Sequence, residues 1–349
     1  IERKMKAIQV FGPKKVELVE IDEPICQSDE IKIKIDTVGI CGTDIEIING
    51  DMAYYSSGMA KYPIILGHEW CGTVIEHGDL ACKKIKIGDR VVGEVSLGCR
   101  NCSTCLEGNY HRCSKRVETG VMNKAGGLAE YIVMPSHAVH VISREIDVLS
   151  AALVEPTAIA YNAIKLGEVS PDTNVAIIGD GPIGLLLLQV ALAVGANKTV
   201  MIGADQKKMS LASKLGAFEV LNGMHDDLEK RIVEIFDGSG ADIVLEASGS
   251  YLGAENAIKL VVPGGKIVLQ SLCGAKNQGA FNLDHVVVND ITLRGALGSP
   301  GIWPDVVRLI ENGQIEPEKI VTHEFPLKGF FDALKVIRQG DSIKLVIRP

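Results

Sequence analysis

The sequence is poor in positive charge: 36 lysines and arginines stand against 44 aspartates and glutamates, for a net charge of −8 at pH 7. Because binding to nucleic acid needs a basic face that neutralises phosphates, we expect no nucleic acid partner. Long hydrophobic runs are also lacking. The longest charge-free apolar stretch, residues 181–196, is short for a membrane span and fits a buried helix better.

The sequence also shows no opening signal peptide, internal repeat or low-complexity segment. We therefore expect a cytoplasmic protein without a membrane partner, in which disulfides are disfavoured. Hydrophobic residues make up 46% and charged residues 23% of the 349 positions, which is ordinary for a globular chain with one large or two medium domains.

Residues 1–154 have the pattern of short, half-buried strands. The clearest, Ile31–Ile35, alternates apolar and polar residues with a period of two. Similar segments occur at 6–10, 16–19, 72–76, 88–93 and 127–133. Glycine and aspartate separate them, so the pattern predicts a compact antiparallel β domain.

The pattern changes near residue 150, where a helix is predicted over 150–166. Val175–Ile178 is then a continuous apolar run, typical of a parallel strand buried on both faces. Further strand candidates at 200–202, 243–245, 266–269 and 291–293 alternate with helix candidates at 207–215, 228–236 and 254–260. This alternation predicts βαβ units and a doubly wound parallel sheet, an α/β domain, over residues 155–295. Residues 296–349, with a helix at 304–311 and a strand at 343–347, are expected to return to the first domain.

A glycine-rich turn follows Val175–Ile178 and has the spacing G-x-G-x-x-G. Such glycines let the backbone approach a pyrophosphate, which lies at the positive end of the following helix. The turn therefore predicts a dinucleotide cofactor, NADP or NAD. Its residues are Gly179, Asp180, Gly181, Pro182, Ile183 and Gly184.

The choice between the two cofactors depends on the end of the next strand. An acid about twenty residues after the glycines would hold the adenosine ribose. Gly203 stands at that place, which leaves room for a 2′-phosphate that Lys207 or Lys208 would pair with. Asp205, two residues later, argues for NAD. The sequence therefore favours NADP slightly.

Four of the nine cysteines fall within residues 99–113, with gaps of two, two and seven residues. Four thiolates closing a tetrahedron form a structural zinc site, and the polar lobe that carries them would need the metal in order to fold. An iron–sulfur cluster is the alternative, because cysteines two residues apart also suit clusters. The four are Cys99, Cys102, Cys105 and Cys113.

A second group of metal-binding residue types is spread along the chain. Cys41 lies in a turn-like segment, His68 and Glu69 follow the apolar run 63–67, and Glu155 comes much later. A thiol, an imidazole and carboxylates suit a catalytic zinc ion, which keeps one coordination position open for a substrate.

Together these motifs resemble the zinc-dependent medium-chain dehydrogenases/reductases of the alcohol dehydrogenase superfamily. The resemblance rests on Gly67-His68-Glu69-x2-Gly72-x5-Gly78, the four-cysteine lobe and the later glycine turn, in the order the family has them, and it covers nearly the whole chain. Segments 152–156 and 320–327 look most similar to the sorbitol (polyol) and threonine dehydrogenase branch.

The resemblance implies a GroES-like catalytic domain (1–154, with the zinc lobe at about 95–114, and 296–349), a Rossmann coenzyme domain (155–295) and an active site in the cleft between them. It also implies two zinc ions per subunit, the catalytic one held by Cys41, His68 and Glu69. Glu155 would ligate that zinc or hold its water, and Thr43 would relay the alcohol proton. The family forms homodimers or homotetramers.

The implied activity is hydride transfer between a secondary alcohol and NAD(P), on a small-molecule polyol, cyclitol, amino alcohol or sugar derivative. The substrate of the branch does not transfer, because Glu46 replaces a usual histidine and Gly298 a usual arginine. The alternatives are threonine-dehydrogenase-like oxidation of an amino alcohol, a non-catalytic zinc-binding homologue and a zinc hydrolase. The last leaves the glycine turn unexplained.

Overall fold

The computed structural model describes residues 3–274, 279 and 281–349. The chain separates into two compact units, the first comprising the residues up to Glu155 together with Gly298–Pro349, the second Pro156–Leu297. No helix among the described residues has both the length and the apolar character needed to cross a membrane.

The strands are β1 (Lys4–Gly12), β2 (Lys15–Asp22), β3 (Glu30–Gly39), β4 (Ile64–Ile65), β5 (Glu69–His77), β6 (Arg90–Gly93), β7 (Ser96–Leu97), β8 (Val117–Thr119), β9 (Asn123–Lys124), β10 (Tyr131–Pro135), β11 (Val139–Ile142), β12 (Val175–Ile178), β13 (Thr199–Gly203), β14 (Glu219–Asn222), β15 (Ala241–Glu246), β16 (Val261–Leu269), β17 (Thr292–Gly295), β18 (Val321–Pro326) and β19 (Lys344–Arg348). The α-helices are α1 (Gly42–Asn49), α2 (Ala53–Ser56), α3 (Ser103–Leu106), α4 (Val148–Ala152), α5 (Val154–Gly167), α6 (Pro182–Ala193), α7 (Gln206–Lys214), α8 (Leu228–Ile235), α9 (Tyr251–Leu260), α10 (Leu283–Val288), α11 (Trp303–Glu311) and α12 (Phe330–Gln339).

The first unit is built on a seven-stranded sheet in the order β11-β6-β5-β3-β19-β18, with β10 also paired to β3. Its pairs are antiparallel except β18 with β19. In β3 the alternation predicted from the sequence places Ile31, Ile33 and Ile35 in the core, where Trp70 is also buried. The predicted β domain, GroES-like in architecture, is confirmed.

Pairing in this sheet brings distant parts of the chain to one place. Gly39, at the end of β3, lies opposite Glu69 of β5 on one side and Val346 of β19 on the other. Cys41 follows two residues after Gly39. The end of β3 and the starts of β5 and β19 therefore meet, and this point carries the site described below.

The second unit contains a six-stranded sheet in the order β14-β13-β12-β15-β16-β17, and every pair in it is parallel. The apolar run of β12 is fully buried in the middle, as the sequence predicts. The chain moves to one side of β12 through β13 and to the other through β15, so the strand order reverses there, as in doubly wound dinucleotide-binding sheets. The predicted Rossmann domain is confirmed.

Some element predictions are wrong in detail. The helix predicted over 150–166 is two helices, α4 and α5, separated at Leu153. Only part of the strand predicted over 127–133 belongs to β10, although Ala129 bridges to Ala7. The sequence interpretation also misses other elements, among them β11, β14, β18, α1, α10 and α12.

Candidate active site

The turn that carries Cys41 is fixed by a buried carboxylate. Cys41 is the N-cap of α1, and Asp44 Oδ2 accepts a hydrogen bond from its backbone N–H at 2.9 Å. Asp44 Oδ1 accepts a second bond, at 3.2 Å, from the backbone N–H of Gly67. Asp44 is fully buried, and burial raises its pKa. One side chain therefore ties the cysteine turn to the segment that carries His68.

Cys41, His68 and Glu69 converge. Their sulfur, ring nitrogen and carboxylate oxygen lie within 4.8 Å of one another. His68 Nδ1 is 3.7 Å from Asp44 Oδ1 and has no hydrogen-bond partner among the described residues. Burial lowers the pKa of His68, but Asp44 and Cys41 outweigh it and the net shift is upward. The imidazole is therefore held among negative groups.

A buried lysine that the sequence interpretation missed completes this group. Lys344, at the start of β19, forms an ion pair with Glu69 and donates a hydrogen bond to the carbonyl of Ile40 at 3.0 Å. Only 3% of Lys344 is exposed. Gly39 leaves the room this pair needs, because a Cβ there would overlap Glu69 Oε2 and lie 3.2 Å from Lys344 Cε.

Glu155, in the first turn of α5, is buried beside the same group but is not among the atoms that lie within 4.8 Å. Burial raises the pKa of Glu155 to about 8, and Glu69 adds to the rise while His68 and Lys344 oppose it. Burial of this carboxylate therefore favours its neutral form unless a cation lies nearby.

The arrangement fits a zinc ion. Sulfur, nitrogen and oxygen donors are the ligands zinc takes, and each bond of about 2.0–2.3 Å lets one ion reach all three atoms. Four acidic groups, the buried carboxylates of Asp44, Glu69 and Glu155 and the thiol of Cys41, lie around this place, and Lys344 pairs with Glu69. Ionising several of these groups together in a buried site is costly, so a divalent cation would stabilise their ionised forms.

The predicted proton relay, Thr43, lies in the first turn of α1 and is half-buried. Its hydroxyl makes no hydrogen bond to the residues that the structure describes, so its role stays a prediction.

The four-cysteine lobe lies between β7 and β8. Sulfur–sulfur distances of 3.9 Å (Cys99–Cys105) and 3.8 Å (Cys102–Cys113) match the edges of a tetrahedron with zinc–sulfur bonds of about 2.3 Å. The backbone N–H of Asn101 lowers the pKa of Cys99 to about 6, whereas desolvation raises that of Cys105 to about 12. Four adjacent thiols cannot all ionise without a cation, and the geometry provides a place for one.

The glycine turn forms the predicted cradle at the end of β12. Gly179 has φ +115°, and a Cβ there would lie 2.6 Å from the backbone nitrogen of Ser248. A Cβ on Gly184 would contact the carbonyl of Gly179, while Gly181, the N-cap of α6, faces open space ahead of Pro182 and Ile183. An open cavity adjoins the turn, lined in part by Gly179, Asp180, Gly203, Ser248 and Asn256. Close backbone approach and an open N-terminus suit a pyrophosphate.

Residues at the end of β13 take different positions from those the sequence suggests. Gly203 is buried against the side chain of Asp180. Asp205 Oδ1 caps α7 by accepting the backbone N–H groups of Lys207 (2.9 Å) and Lys208 (3.0 Å), and the bond from Lys208 chiefly lowers its pKa. Lys207 and Lys208 do not line the cavity.

This combination of units defines a class of protein: a metal-dependent oxidoreductase that uses a dinucleotide. Two family models agree, the alcohol dehydrogenase GroES-like domain over residues 27–144 and the zinc-binding dehydrogenase model over 182–312. The chain belongs to the zinc-dependent medium-chain dehydrogenases of the alcohol dehydrogenase superfamily. It is an NAD(P)-dependent alcohol/polyol dehydrogenase.

Individual relatives match over nearly their full length. An L-threonine 3-dehydrogenase of Pyrococcus abyssi is 34% identical over 98% of this chain and 97% of its own. An erythritol/L-threitol dehydrogenase of Mycolicibacterium smegmatis is 30% identical over 100% of this chain and 99% of its own. A solved zinc-binding dehydrogenase of Sinorhizobium meliloti, bound to NADP, superposes with a TM-score of 0.92 at 25% identity, covering 100% of both chains.

Proposed function

We propose that Cys41, His68 and Glu69 hold a catalytic zinc ion with Glu155 beside it, and that this site oxidises a secondary alcohol of the polyol class with NAD(P) as acceptor. The observation that carries the proposal is the convergence of thiol, imidazole and carboxylate within 4.8 Å in a buried site that is rich in acidic groups. A second, structural zinc ion is proposed at the four-cysteine lobe, which gives two per chain.

The bound groups would supply the chemistry and the chain would supply the geometry. Zinc polarises an alcohol oxygen and lowers the pKa of its proton, and a nicotinamide accepts the hydride. Asp44 holds the Cys41 turn and the His68 segment in register, while Lys344 fixes the orientation of Glu69. Thr43, next to this turn, is the proposed hydroxyl that takes up the proton.

The substrate pocket differs from that of the relatives' branch at two positions. Gly298 has φ +64° and a Cβ there would lie 3.1 Å from His111 Cβ, so an arginine at this position would be strained. Glu46 is half-buried, and burial, followed by Asp51, raises its pKa. A polyol, cyclitol, amino alcohol or sugar derivative with other hydrogen-bonding needs is therefore proposed. The relation to a threonine dehydrogenase keeps amino alcohols among the candidates.

Two further properties are proposed. The exposed edge strand of the second unit, β17, supports a homodimer, or a homotetramer made of dimers. None of the cysteines in the described part of the chain forms a disulfide, which is consistent with a reducing, cytoplasmic location.

The test combines metal analysis with turnover. Zinc-loaded protein is expected to contain two zinc ions and no iron per chain, and to reduce NAD or NADP with at least one member of a panel of polyols, cyclitols and amino alcohols. Cys41→Ser is expected to lose one zinc ion and to lower kcat/KM by at least about 100-fold, since the metal contributes several kcal/mol to the transition state. Cys82→Ser, which alters an exposed thiol outside both clusters, is the matched control and keeps both zinc and turnover.

A fully active Cys41→Ser enzyme would refute the catalytic assignment. One zinc ion per chain with no turnover on any alcohol would instead favour a homologue that keeps only the structural site. Iron and visible colour in the purified protein would show that the four cysteines hold an iron–sulfur cluster instead of zinc.

A further inference from the structure

The carboxylate missing from the end of β13 is replaced in space by one from the glycine turn. A Cβ on Gly203 would lie 2.6 Å from Asp180 Oδ2, 2.7 Å from Asp180 Cβ and 2.9 Å from Asp180 Cγ. The side chain of Asp180 therefore occupies the space where an acid on Gly203 would begin. The room for a 2′-phosphate that Gly203 suggests from the sequence is filled by a negative group.

Asp180 is held there by the backbone. Its Oδ2 accepts hydrogen bonds from the N–H groups of Ala204 and Asp205, both at 2.7 Å. These are the two donors that follow β13, and an incoming phosphate would need such groups. Because Asp180 already uses them, they are not free to bind another anion.

The other carboxylate oxygen of Asp180, Oδ1, differs from Oδ2 in its hydrogen bonding. Asp180 lines the open cavity beside the glycine turn, and its Oδ1 has no hydrogen-bond partner within the part of the chain that the structure describes. An ionised carboxylate only accepts hydrogen bonds. A ribose 2′-hydroxyl can donate one to it, whereas a 2′-phosphate brings negative charge against it.

The surrounding charges strengthen this preference. Asp205 adds a second carboxylate at the same strand end, and the backbone donors of Lys207 and Lys208 are used by that carboxylate. Neither lysine lines the cavity.

We propose that Asp180 acts as the ribose-binding acid in place of residue 203, and that it makes the enzyme select NAD(H) over NADP(H). This inference rests on the proposed function, in which the cradle binds a nicotinamide dinucleotide. It reverses the slight preference for NADP that the sequence alone suggests.

The test measures binding of NADH and of NADPH to zinc-loaded protein by nicotinamide fluorescence. Wild type is expected to bind NADH about 100-fold more tightly than NADPH, since like charges at a binding site are strongly disfavoured. Asp180→Asn keeps an acceptor for the Ala204 and Asp205 N–H groups but removes the charge, and is expected to reduce the preference at least about tenfold. Asp172→Asn removes a charge from an exposed turn outside the cavity and is expected to leave the ratio unchanged.

A positional exchange makes the test sharper. Asp180→Gly alone is expected to lose the preference, and Asp180→Gly combined with Gly203→Asp is expected to restore it, because the carboxylate returns to the same space from the other strand. Thermal unfolding of each variant shows that it is folded. If wild type and Asp180→Asn had equal ratios of NADH affinity to NADPH affinity, or if wild type preferred NADPH, the inference would be overturned while dinucleotide binding stands. Failure of wild type to bind either dinucleotide would overturn the proposed function as well.

Discussion

At the scale of single residues, the site depends on a buried ion pair whose members are far apart in sequence. Lys344 and Glu69 are 3% and 1% exposed, and they meet because β19 and β5 both pair with β3. Breaking a buried pair by removing one partner leaves an uncompensated charge, which is far more costly than losing a pair at the surface.

Lys344→Met is therefore expected to reduce the free energy of unfolding of the first unit by about 3 kcal/mol. Both tryptophans, Trp70 and Trp303, are buried in this unit, so tryptophan fluorescence during urea unfolding reports on it directly. The zinc-loaded protein is the sample.

Arg348→Met on the same strand is the matched control for Lys344→Met. Arg348 pairs with Glu324 at 2.7 Å, but the two side chains are 47% and 43% exposed. We expect a loss of about 0.5 kcal/mol or less. If both variants lost the same small amount, the Lys344–Glu69 pair would have no special role in holding the site.

At the scale of elements, the four-cysteine lobe has little core of its own. Between β7 and β8 it has one short α-helix, α3, and a 3-10 turn at Tyr110–Arg112, and Leu106 on α3 is 76% exposed. Cys113 is its buried apolar residue. A segment with so little burial takes its folding energy from a bound metal.

Cys105→Ser is expected to reduce the zinc content from two ions per chain to one and to open the lobe to trypsin. Arg100, Arg112 and Lys115 are exposed in it and offer cleavage sites. Mass spectrometry of the fragments locates the cuts. Cys82→Ser is the control and is expected to keep both zinc ions and a trypsin-resistant lobe. If the lobe of Cys105→Ser also resisted trypsin, packing alone would be enough to keep it folded.

The pattern of burial along each element explains which elements could be predicted from the sequence. β3 and β12 have clear patterns, alternating in one case and wholly apolar in the other, because each strand's environment is uniform along its length. β18 alternates between half-buried and exposed positions, so its burial contrast is weak. The break at Leu153 has a sequence signal that the interpretation did not use: Pro156 has no backbone N–H to continue a helix and fits the first turn of a new one, although the apolar spacing continues through the break.

The candidate site could be predicted only in part for a related reason. Cys41, His68 and Glu69 stand out because their residue types bind metals. Lys344 has no such signal, since a lysine in a strand is ordinarily solvated and only the pairing of β19 with β3 buries it. Asp180 likewise acquires a role only because β12 and β13 lie side by side.

At the scale of the whole molecule, the second unit presents a surface suited to another copy of the chain. β17 is the edge strand of its sheet, and all four of its residues are exposed. Apolar side chains on β17 and on the neighbouring α10 are also exposed: Leu293 39%, Leu283 65%, Val287 77% and Val288 81%. An exposed strand edge with apolar neighbours is ordinarily covered. A two-fold axis would pair β17 with its own copy and cover both patches.

Val288→Glu is therefore expected to shift the protein from a dimer, or tetramer, towards a smaller species, because symmetry places the new charge near its own copy in an apolar interface. Light scattering coupled to size-exclusion chromatography measures the mass. Leu80→Glu is the matched control. Leu80 is similarly exposed, at 77% against 81% for Val288, but it lies in the first unit, and we expect the Leu80→Glu protein to have the same mass as wild type. A monomeric wild type would contradict the proposed assembly, and a Val288→Glu protein of unchanged mass would place the interface elsewhere. If turnover per chain survives in the smaller species, the catalytic residues of one chain are sufficient, as expected from a metal group drawn entirely from Cys41, His68 and Glu69 of that chain.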